Sequence, residues 1–301
     1  MFKHILVCCD DSESSLQAAQ IAASIAQKRP CRVTVLYVLN LHQILPPPIG
    51  AWEGEVGPEA VTHYRERVRE VVKQPVAEIF RAARVDYAWR FELGHPVDKI
   101  LDVAKEGEVD LIVLGSRGLG GLKRLVLGSV SEGTLHHAPC SVLIVRGKNA
   151  PQGAAGFEHI LLAADGSESA DRATLAAVGM AQAFNTSLQA LHVLEPFSFS
   201  PFLSDDDYAV LIDQDPETLA RHYRTHLRDS IGTVVTEANI CCKLTQERGE
   251  AGDTIVGFAN ENQSDLIVMG SRGLGGFDRM LLGSVSTYVT HHAHCPVLVV
   301  R

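Results

Sequence analysis

Two glycine-rich segments have the residue types and spacing that could hold a phosphate group. The first follows the pattern Gly-x2-Gly-x9-Gly-Ser from Gly115 to Ser129, and the second repeats it from Gly270 to Ser284. Glycine lets the backbone approach an anion closely, and the Gly-Ser step is expected to open a helix. The first amides of a helix have no partner within it and carry the positive end of its dipole. The pattern therefore predicts an anion site.

Hydroxyl and guanidinium groups near these glycines could complete a phosphate site. Ser129 and Ser131 would add hydroxyl donors. A simple tight turn is the alternative interpretation, and a duplication copies a turn as faithfully as a site. The occurrence between a buried strand and a helix favours nucleotide binding. The arginines that could neutralise the charge are Arg117, Arg124, Arg272 and Arg279.

The chain contains two homologous copies of one domain. The segment that begins at Asp110 reappears at Asp265, 155 residues later, and the same offset relates Asp10 to Asp165. Over the last 37 positions of each copy, 25 residues are identical. Such a period far exceeds that of stacked solenoid repeats. We predict a first domain over 1–147, a linker over 148–156 and a second domain over 157–301.

Strand and helix patterns alternate within each copy. In the first copy, an apolar strand pattern is followed by apolar residues at helical spacing. Ser12 or Ser14 is the predicted N-cap of this first helix. This alternation predicts an α/β fold, with a mostly parallel sheet covered by helices on both faces. Ligands of such sheets bind at the carboxyl ends of the strands, where the strand order reverses. The predicted elements are strands 4–9, 32–39, 86–93, 110–114 and 141–146, and helices 12–28, 59–84 (with a bend near Pro75), 96–106 and 129–137.

Composition excludes several classes of protein. The net charge of −9 at pH 7 argues against broad binding to nucleic acid or anionic lipid. No run of about 18 apolar residues predicts a membrane span. The seven cysteines are odd in number and lack Cys-x-x-Cys spacing, which indicates thiols in a reducing cytoplasm.

The sequence resembles the universal stress protein family in its tandem-domain form, and the resemblance covers both halves. The similar segments are the strand that leads to Asp165, Leu191–Val193, the segment from Asp265 to Gly273, the glycine motif and the ending at Arg301. The glycine motif marks the family's ATP-binding branch. The resemblance implies two Rossmann-like domains (adenine nucleotide alpha hydrolase-like), each a five-stranded parallel sheet of order 3-2-1-4-5, and ATP as ligand, with or without magnesium.

The resemblance also implies which residues contact the nucleotide in each copy. Adenine and ribose would lie near the end of the first strand, where Asp10 or Asp165 accepts a hydrogen bond from a ribose hydroxyl. The glycines and the helix start would hold the phosphates. In the first copy the residues are Cys8, Cys9, Asp10, Val38, Leu114, Gly115, Gly118, Gly128, Ser129, Val130 and Ser131. In the second copy they are Ala163, Ala164, Asp165, Val193, Met269, Gly270, Gly273, Gly283, Ser284, Val285 and Ser286.

The first copy departs from the family pattern at Asp11, where the second copy has the usual Gly166. A second carboxylate there could repel phosphate or recruit a divalent cation. The family further implies that the last strands of the two copies pair, which gives an intrachain pseudo-dimer. Association of two whole chains as a homodimer remains an alternative, and the protein partner is not identified.

Other reactive residues have plainer interpretations. The histidine pairs at 136–137 and 291–292 lack a nearby carboxylate or cysteine set, so we predict no metal site. The cysteines are expected to fill packing positions. The acidic run 205–207, with Asp213 and Asp215, fits a solvated loop, and a cation or partner site is the alternative. Trp52 could lie over the pocket or fill a packing position.

No nucleophile–base arrangement accompanies the predicted phosphate site. The sequence lacks Gly-x-Ser-x-Gly, His-Glu-x-x-His and a Walker A lysine. A phosphate site without a general base predicts binding or very slow hydrolysis. We therefore favour a cytoplasmic, ATP-binding, nucleotide-dependent regulator or sensor of the stress response. A slow ATPase or nucleotidyl transferase and a purely structural dimerisation module are the alternatives.

Overall fold

A computed structural model describes residues 2–40, 65–116, 127–146, 156–195, 225, 227, 229, 231–273 and 282–301. The described chain divides into two compact units. The first unit is Phe2–Cys140, and the second contains residues 141–146 and 156–301. Both are α/β units with mostly parallel strands, which confirms the predicted fold class. The predicted domain boundaries and linker stay predictions.

The first unit is a four-stranded parallel sheet in the order β3-β2-β1-β4. The reversal of strand order therefore lies between β1 and β4, as expected. Its strands are β1 (His4–Cys8), β2 (Arg32–Leu39), β3 (Ala88–Leu93) and β4 (Leu111–Gly115). Its helices are α1 (Glu13–Lys28), α2 (Gln74–Ala83), α3 (Pro96–Glu106) and α4 (Ser129–His137).

Helix α1 follows the sequence prediction closely. The Ser12 side chain accepts a hydrogen bond from the Ser15 amide and caps the helix. The buried face is rich in alanine, including Ala18 and Ala22, both fully buried. Because alanine has almost no side-chain bulk, this face allows the helix to lie close to the sheet. The close approach leaves no room for a side chain at Gly115, where β4 ends.

The predicted long helix bears an irregular turn next to Pro75. A π-helical segment, Arg69–Lys73, precedes α2, and the Gln74 amide donates to the Arg69 carbonyl five residues back. Proline has no amide hydrogen and cannot close an ordinary helical turn. The wider turn gives the irregularity a physical cause. The first residues of the predicted helix, 59–64, lie outside the described residues.

The second unit has a six-stranded sheet in the order β5-β10-β9-β6-β7-β8. Five of these strands repeat the predicted order 3-2-1-4-5 and are parallel. A helical segment over 231–237 precedes β8. The strands are β5 (Ser141–Val145), β6 (Ile160–Ala163), β7 (Leu188–Leu194), β8 (Cys242–Arg248), β9 (Leu266–Gly270) and β10 (Val297–Val300). The labelled helices are α5 (Glu168–Phe184), α6 (Ala251–Glu261) and α7 (Ser284–His292).

The sixth strand, β5, comes from the first sequence copy and pairs antiparallel with β10. Val297 lies opposite Ile144, and Val299 lies opposite Val142. All four side chains are almost fully buried. The two C-terminal strands thus cover each other's edge, which would otherwise be an apolar surface for aggregation.

Arg146 follows β5 and lies buried at the C-terminus of α7. Its guanidinium donates to the carbonyls of Thr290 and His291, the latter at 2.6 Å. Only 5% of the residue is exposed. A cation at the negative end of a helix dipole is favourable, and the two carbonyls would lose their donor without it.

We expect Arg146→Leu to destabilise the second unit by about 2–3 kcal/mol, since buried carbonyls would be left without their donor. Urea unfolding followed by circular dichroism measures this. Arg172→Ala is the matched control, because it removes an exposed ion pair with Glu168 on α5 and should cost under about 1 kcal/mol. Equal losses in the two variants would contradict the capping role of Arg146.

Within the described ranges, every helix is too short or too polar to cross a membrane.

Candidate functional site

The carboxyl ends of two neighbouring strands bring the predicted site residues together in each copy. Cys8 lies in register with Leu114, so Asp10, which follows β1, and Gly115, the last residue of β4, lie at one edge of the sheet. In the second copy, Ala163 lies in register with Met269. Asp165 and Gly270 therefore occupy the corresponding edge. This is the position at which open parallel sheets bind ligands.

A local turn orients the carboxylate that follows the first strand. Oδ1 of Asp10 accepts a hydrogen bond from the Ser12 amide at 3.0 Å and another from the Ser12 hydroxyl. Oδ1 of Asp165 likewise accepts from the Ser167 amide at 3.0 Å. Each carboxylate is thus held by the residue that caps the following helix. The hydrogen bond therefore fixes the carboxylate relative to the first turn of that helix.

The carboxylate of Asp165 faces the glycine-rich segment that follows β9. A Cβ atom at Gly273 would lie 2.6 Å from Asp165 Oδ2. These residues are far apart in sequence, but the fold places them against each other across the strand ends. A side chain at Gly273 would fill the space beside the carboxylate. Glycine therefore lets the carboxylate and the backbone of this segment approach each other closely.

The helix that follows the glycine-rich segment begins at this same edge. Gly128 is the N-cap of α4, with φ −69° and ψ 149°, and its amide donates to the Ser116 carbonyl at 2.8 Å. Gly283 caps α7 with φ −67° and ψ 151°, and its amide donates to the Ser271 carbonyl at 2.8 Å. These bonds attach each helix start to the end of the neighbouring strand.

The first three amides of α4 and α7 make no backbone hydrogen bond within the described residues. Ser129 and Ser284, at the first helical positions, are exposed. Three donors and the positive end of a helix dipole thus lie beside each pair of strand ends. This is the geometry that binds phosphate at helix N-termini. The amides of residues 129–131 and 284–286 form the two N-terminal cradles.

Two serines predicted to contact phosphate use their hydroxyls within the fold. The Ser131 hydroxyl donates to the Gly115 carbonyl at 2.7 Å, and the Ser286 hydroxyl donates to the Gly270 carbonyl at 2.8 Å. Both serines are buried. Their hydroxyls join the helix to the strand end, and their backbone amides remain as the candidate donors to a ligand.

The two copies differ in backbone where the first strand ends. Gly166 has φ +83°, a left-handed conformation that favours glycine. Asp11, at the equivalent position, is not among the described residues with positive φ, and it is exposed. The opening of the first site therefore differs from that of the second in both charge and backbone path.

The other residues that the sequence analysis assigned to the site lie in or next to the strands. Val38 and Val193 are half-buried near the ends of β2 and β7. Burial raises the pKa of the Cys8 and Cys9 thiols well above its usual range. Both thiols therefore stay protonated at neutral pH, which supports a packing role. All seven cysteines lie in the described ranges and are free thiols.

The sequence analysis did not single out His192, which lies in the wall of the second site. It is buried, and its Nδ1 lies 3.0 Å from the carbonyl oxygen of Ala164. Nδ1–H therefore donates to that carbonyl. The only signal in the sequence was its position between Leu191 and Val193, in a segment that the resemblance had already marked. Burial lowers the pKa of His192, although the Ala164 carbonyl and the Asp165 carboxylate oppose this effect.

We expect the second unit to lose stability as the pH falls below about 6.5. The unfolded chain protonates His192 near the ordinary pKa of 6.5, whereas the folded chain resists protonation, so acid favours unfolding. Burial lowers the pKa of His294 as well, with the same sign. His192→Gln should reduce the fall in melting temperature between pH 7 and pH 5. The exposed His159→Gln is the control, and an unchanged pH profile in His192→Gln would contradict the prediction.

Several predicted residues lie outside the described residues: Gly118, Arg117, Arg124, Arg279, Trp52 and the acidic residues at 205–207, 213 and 215. Arg272 is described, and its carbonyl accepts a hydrogen bond from the Ser169 hydroxyl. The described residues contain no cluster of histidine, cysteine, aspartate or glutamate suited to a metal ion. His137 and His292 instead lie 2.9 and 2.8 Å from the carbonyls of Gly133 and Tyr288, one turn earlier in their helices.

Comparison with known proteins gives a consistent result over the whole chain. The universal stress protein family matches residues 1–146 and again residues 156–301. A universal stress protein of Mycolicibacterium smegmatis is 30% identical over 305 residues, which cover 99% of this chain and 96% of the relative. One from Mycobacterium tuberculosis is 28% identical over 306 residues, with the same coverage. The crystal structure of a universal stress protein from Archaeoglobus fulgidus matches with a TM-score of 0.70 and 25% identity, over 99% of this chain and 98% of that one.

Proposed function

Because this chain belongs to the universal stress protein family, we propose that it binds an adenine nucleotide at each of its two strand-end sites. ATP is the proposed ligand, and the protein acts as a cytoplasmic, nucleotide-dependent regulator of the stress response. The carboxylates of Asp10 and Asp165 accept hydrogen bonds from the ribose. The N-terminal cradles of α4 and α7 hold the phosphates, with or without a magnesium ion.

One observation carries this proposal. In both copies, a helix whose first three amides make no backbone hydrogen bond to any described residue begins beside the carboxyl ends of two parallel strands. A polyphosphate supplies the negative charge that this arrangement favours. Asp10 and Asp165, fixed at the same edge, could accept from the sugar hydroxyls. Anion donors and a sugar acceptor thus lie together twice in one chain.

Binding rather than turnover fits the groups at the site. The sequence lacks the Walker A lysine and the nucleophile motifs that would accompany fast turnover of a nucleotide. His192 donates through Nδ1 to a backbone carbonyl and is buried, which leaves it poorly placed as a general base. A regulator that changes its interactions when nucleotide binds is therefore the favoured function.

The direct test is identification of the ligand that copurifies with the protein. Denaturation, extraction and mass spectrometry should release adenine nucleotide, and calorimetry on the stripped protein should show up to two ATP sites per chain. Asp165→Asn is expected to weaken the binding of ATP more than the binding of 2′,3′-dideoxy-ATP. Only ATP carries the ribose hydroxyls from which the Asp165 carboxylate accepts. Absence of both copurified nucleotide and ATP binding would overturn the proposal. Turnover above roughly 1 s⁻¹ would replace it with an enzymatic function.

A further inference from the structure

A groove on the first unit brings together cations and aromatic rings along β3. We define the cation–aromatic groove by Arg65, Arg69, Lys73, Trp89 and Phe91, which line a cavity of about 370 Å³. The Arg65 guanidinium lies 5.0 Å from the centre of the Phe91 ring. The Lys73 ammonium lies 5.6 Å from the centre of the Trp89 ring. Such contacts orient long cationic side chains over the rings.

The cations of the groove outnumber the acids beside them: residues 65–73 contain Arg65, Arg67, Arg69 and Lys73 but only Glu66 and Glu70 as acids. The ion pairs among described residues include neither Arg65, Arg69 nor Lys73. The carboxylate of Glu92, on β3, is bonded to Arg90 at 2.6 Å instead. Arg65 and Arg69 are exposed to solvent. In a protein of net charge −9, this positive surface selects for an anionic partner.

The second copy repeats the glycine motif of the strand-end site but not the two aromatic residues of this groove. At the equivalent positions, 155 residues later, Trp89 is replaced by Leu244 and Phe91 by Gln246. Arg65 is replaced by Ala220, whereas Arg69 and Lys73 correspond to Arg224 and Arg228. The 155-residue offset between the copies also holds in this region. The hydrogen bond from the Gln27 side chain to the Ala83 carbonyl recurs from Gln182 to the Ala238 carbonyl. Arg65, Trp89 and Phe91 are therefore specific to the first copy and are not required by the fold itself.

The groove lies along the edge of the sheet. Among the described strands, β3 pairs only with β2, so its outer edge can accept a further strand. Trp89 and Phe91 are two residues apart on β3 and therefore lie on the same face of the strand. The ring of Tyr37, on β2, stacks with that of Phe91 at 5.8 Å between ring centres. A strand added to this edge would place every second side chain on that same face.

We propose that the cation–aromatic groove binds an extended, acidic segment of a partner protein as an additional strand on β3. Successive side chains on one face of a strand are about 6.6 Å apart. The three cations recur every four residues, close to one turn of the helical segment, which is a spacing of roughly 5 Å. Carboxylates at alternate positions of the segment therefore meet Arg65, Arg69 and Lys73 in turn. Backbone pairing supplies affinity, and charge supplies selectivity.

Trp89 provides a direct readout of this binding. The chain has only two tryptophans, so the full-length Trp52→Phe variant reports from Trp89 alone. The probe is an acetylated and amidated octapeptide of alternating glutamate and threonine. We expect a saturable change in Trp89 fluorescence that weakens as salt is added. A peptide of the same composition in two blocks, and one with glutamine for glutamate, should each bind at least about tenfold more weakly.

Variants of the groove complete the test. Arg65→Gln/Arg69→Gln/Lys73→Gln should weaken binding at least about tenfold, and Phe91→Gln, which introduces the residue of the second copy, should weaken it as well. Arg81→Gln removes an exposed cation from the last turn of α2 and should leave affinity within about twofold. Lack of saturable binding, equal binding of the block peptide, or tighter binding of octathymidylate would overturn the proposal. None of these outcomes depends on whether the strand-end sites bind ATP.

Discussion

Ser284→Pro is expected to weaken nucleotide binding at the second site by about 10- to 100-fold while the fold remains intact. Ser284 is the first residue of α7, and its amide is one of the proposed phosphate donors. Proline is well tolerated at this position of a helix. The preceding Gly283, with φ −67° and ψ 151°, already has the extended conformation that a residue before proline requires. The substitution therefore removes a donor without disturbing the helix.

The magnitude follows from the bond that is lost. A hydrogen bond to a charged group contributes roughly 1.5–3 kcal/mol, and each 1.4 kcal/mol is tenfold in affinity. Calorimetry with ATP measures the effect. Ser284→Ala is the matched control, since it removes only the hydroxyl and should cost much less. Ser129→Pro makes the equivalent change in α4, and the double variant should lose both sites. Unchanged affinity in Ser284→Pro, with an unchanged melting temperature, would show that the cradle does not hold phosphate.

Gly115→Ala is expected to destabilise the first unit by about 3 kcal/mol. A Cβ atom at Gly115 would lie 2.7 Å from the carbonyl carbon of Ser14 and 2.8 Å from its oxygen. Both atoms belong to the backbone of the first turn of α1, which cannot rotate away as a side chain could. The helix would have to move off the sheet, and overpacking of this kind typically costs 1–3 kcal/mol or more. Denaturant unfolding followed by circular dichroism measures the loss.

The matched control for this prediction is Gly257→Ala. Gly257 lies exposed in α6, and a Cβ atom there would meet nothing within 4 Å. Alanine is the better helix former by up to about 1 kcal/mol, so this variant should be slightly stabilised. A loss of stability in Gly115→Ala and a gain in Gly257→Ala would establish that close packing, rather than the loss of a glycine as such, causes the effect at Gly115. Equal stability of Gly115→Ala and the parent protein would contradict the proposed contact.

Most of the fold was predictable because its signals are local. The 155-residue repeat, the apolar strand patterns and the Ser12 cap are all visible in the sequence, and α1, α3 and α4 begin and end within a residue of the prediction. Parallel sheets bury both faces of their strands, which leaves an unbroken apolar run as a signal. The π-helical turn before Pro75 was foreseen only as a bend, because proline shows where an amide is missing but not how the chain compensates.

The sequence by itself determined the two copies, the alternation of strand and helix, and which residues end the strands, because each of these depends on residues close together in the chain. Only the tertiary structure decided that the Ser131 and Ser286 hydroxyls bond to strand-end carbonyls, that His192 enters the wall of the second site, and that Arg146 caps a helix more than 140 residues away. The cation–aromatic groove likewise joins two elements separated by some 20 residues. Contacts of this kind arise when packing brings distant backbone groups and side chains within a few ångströms, and no spacing along the chain records them.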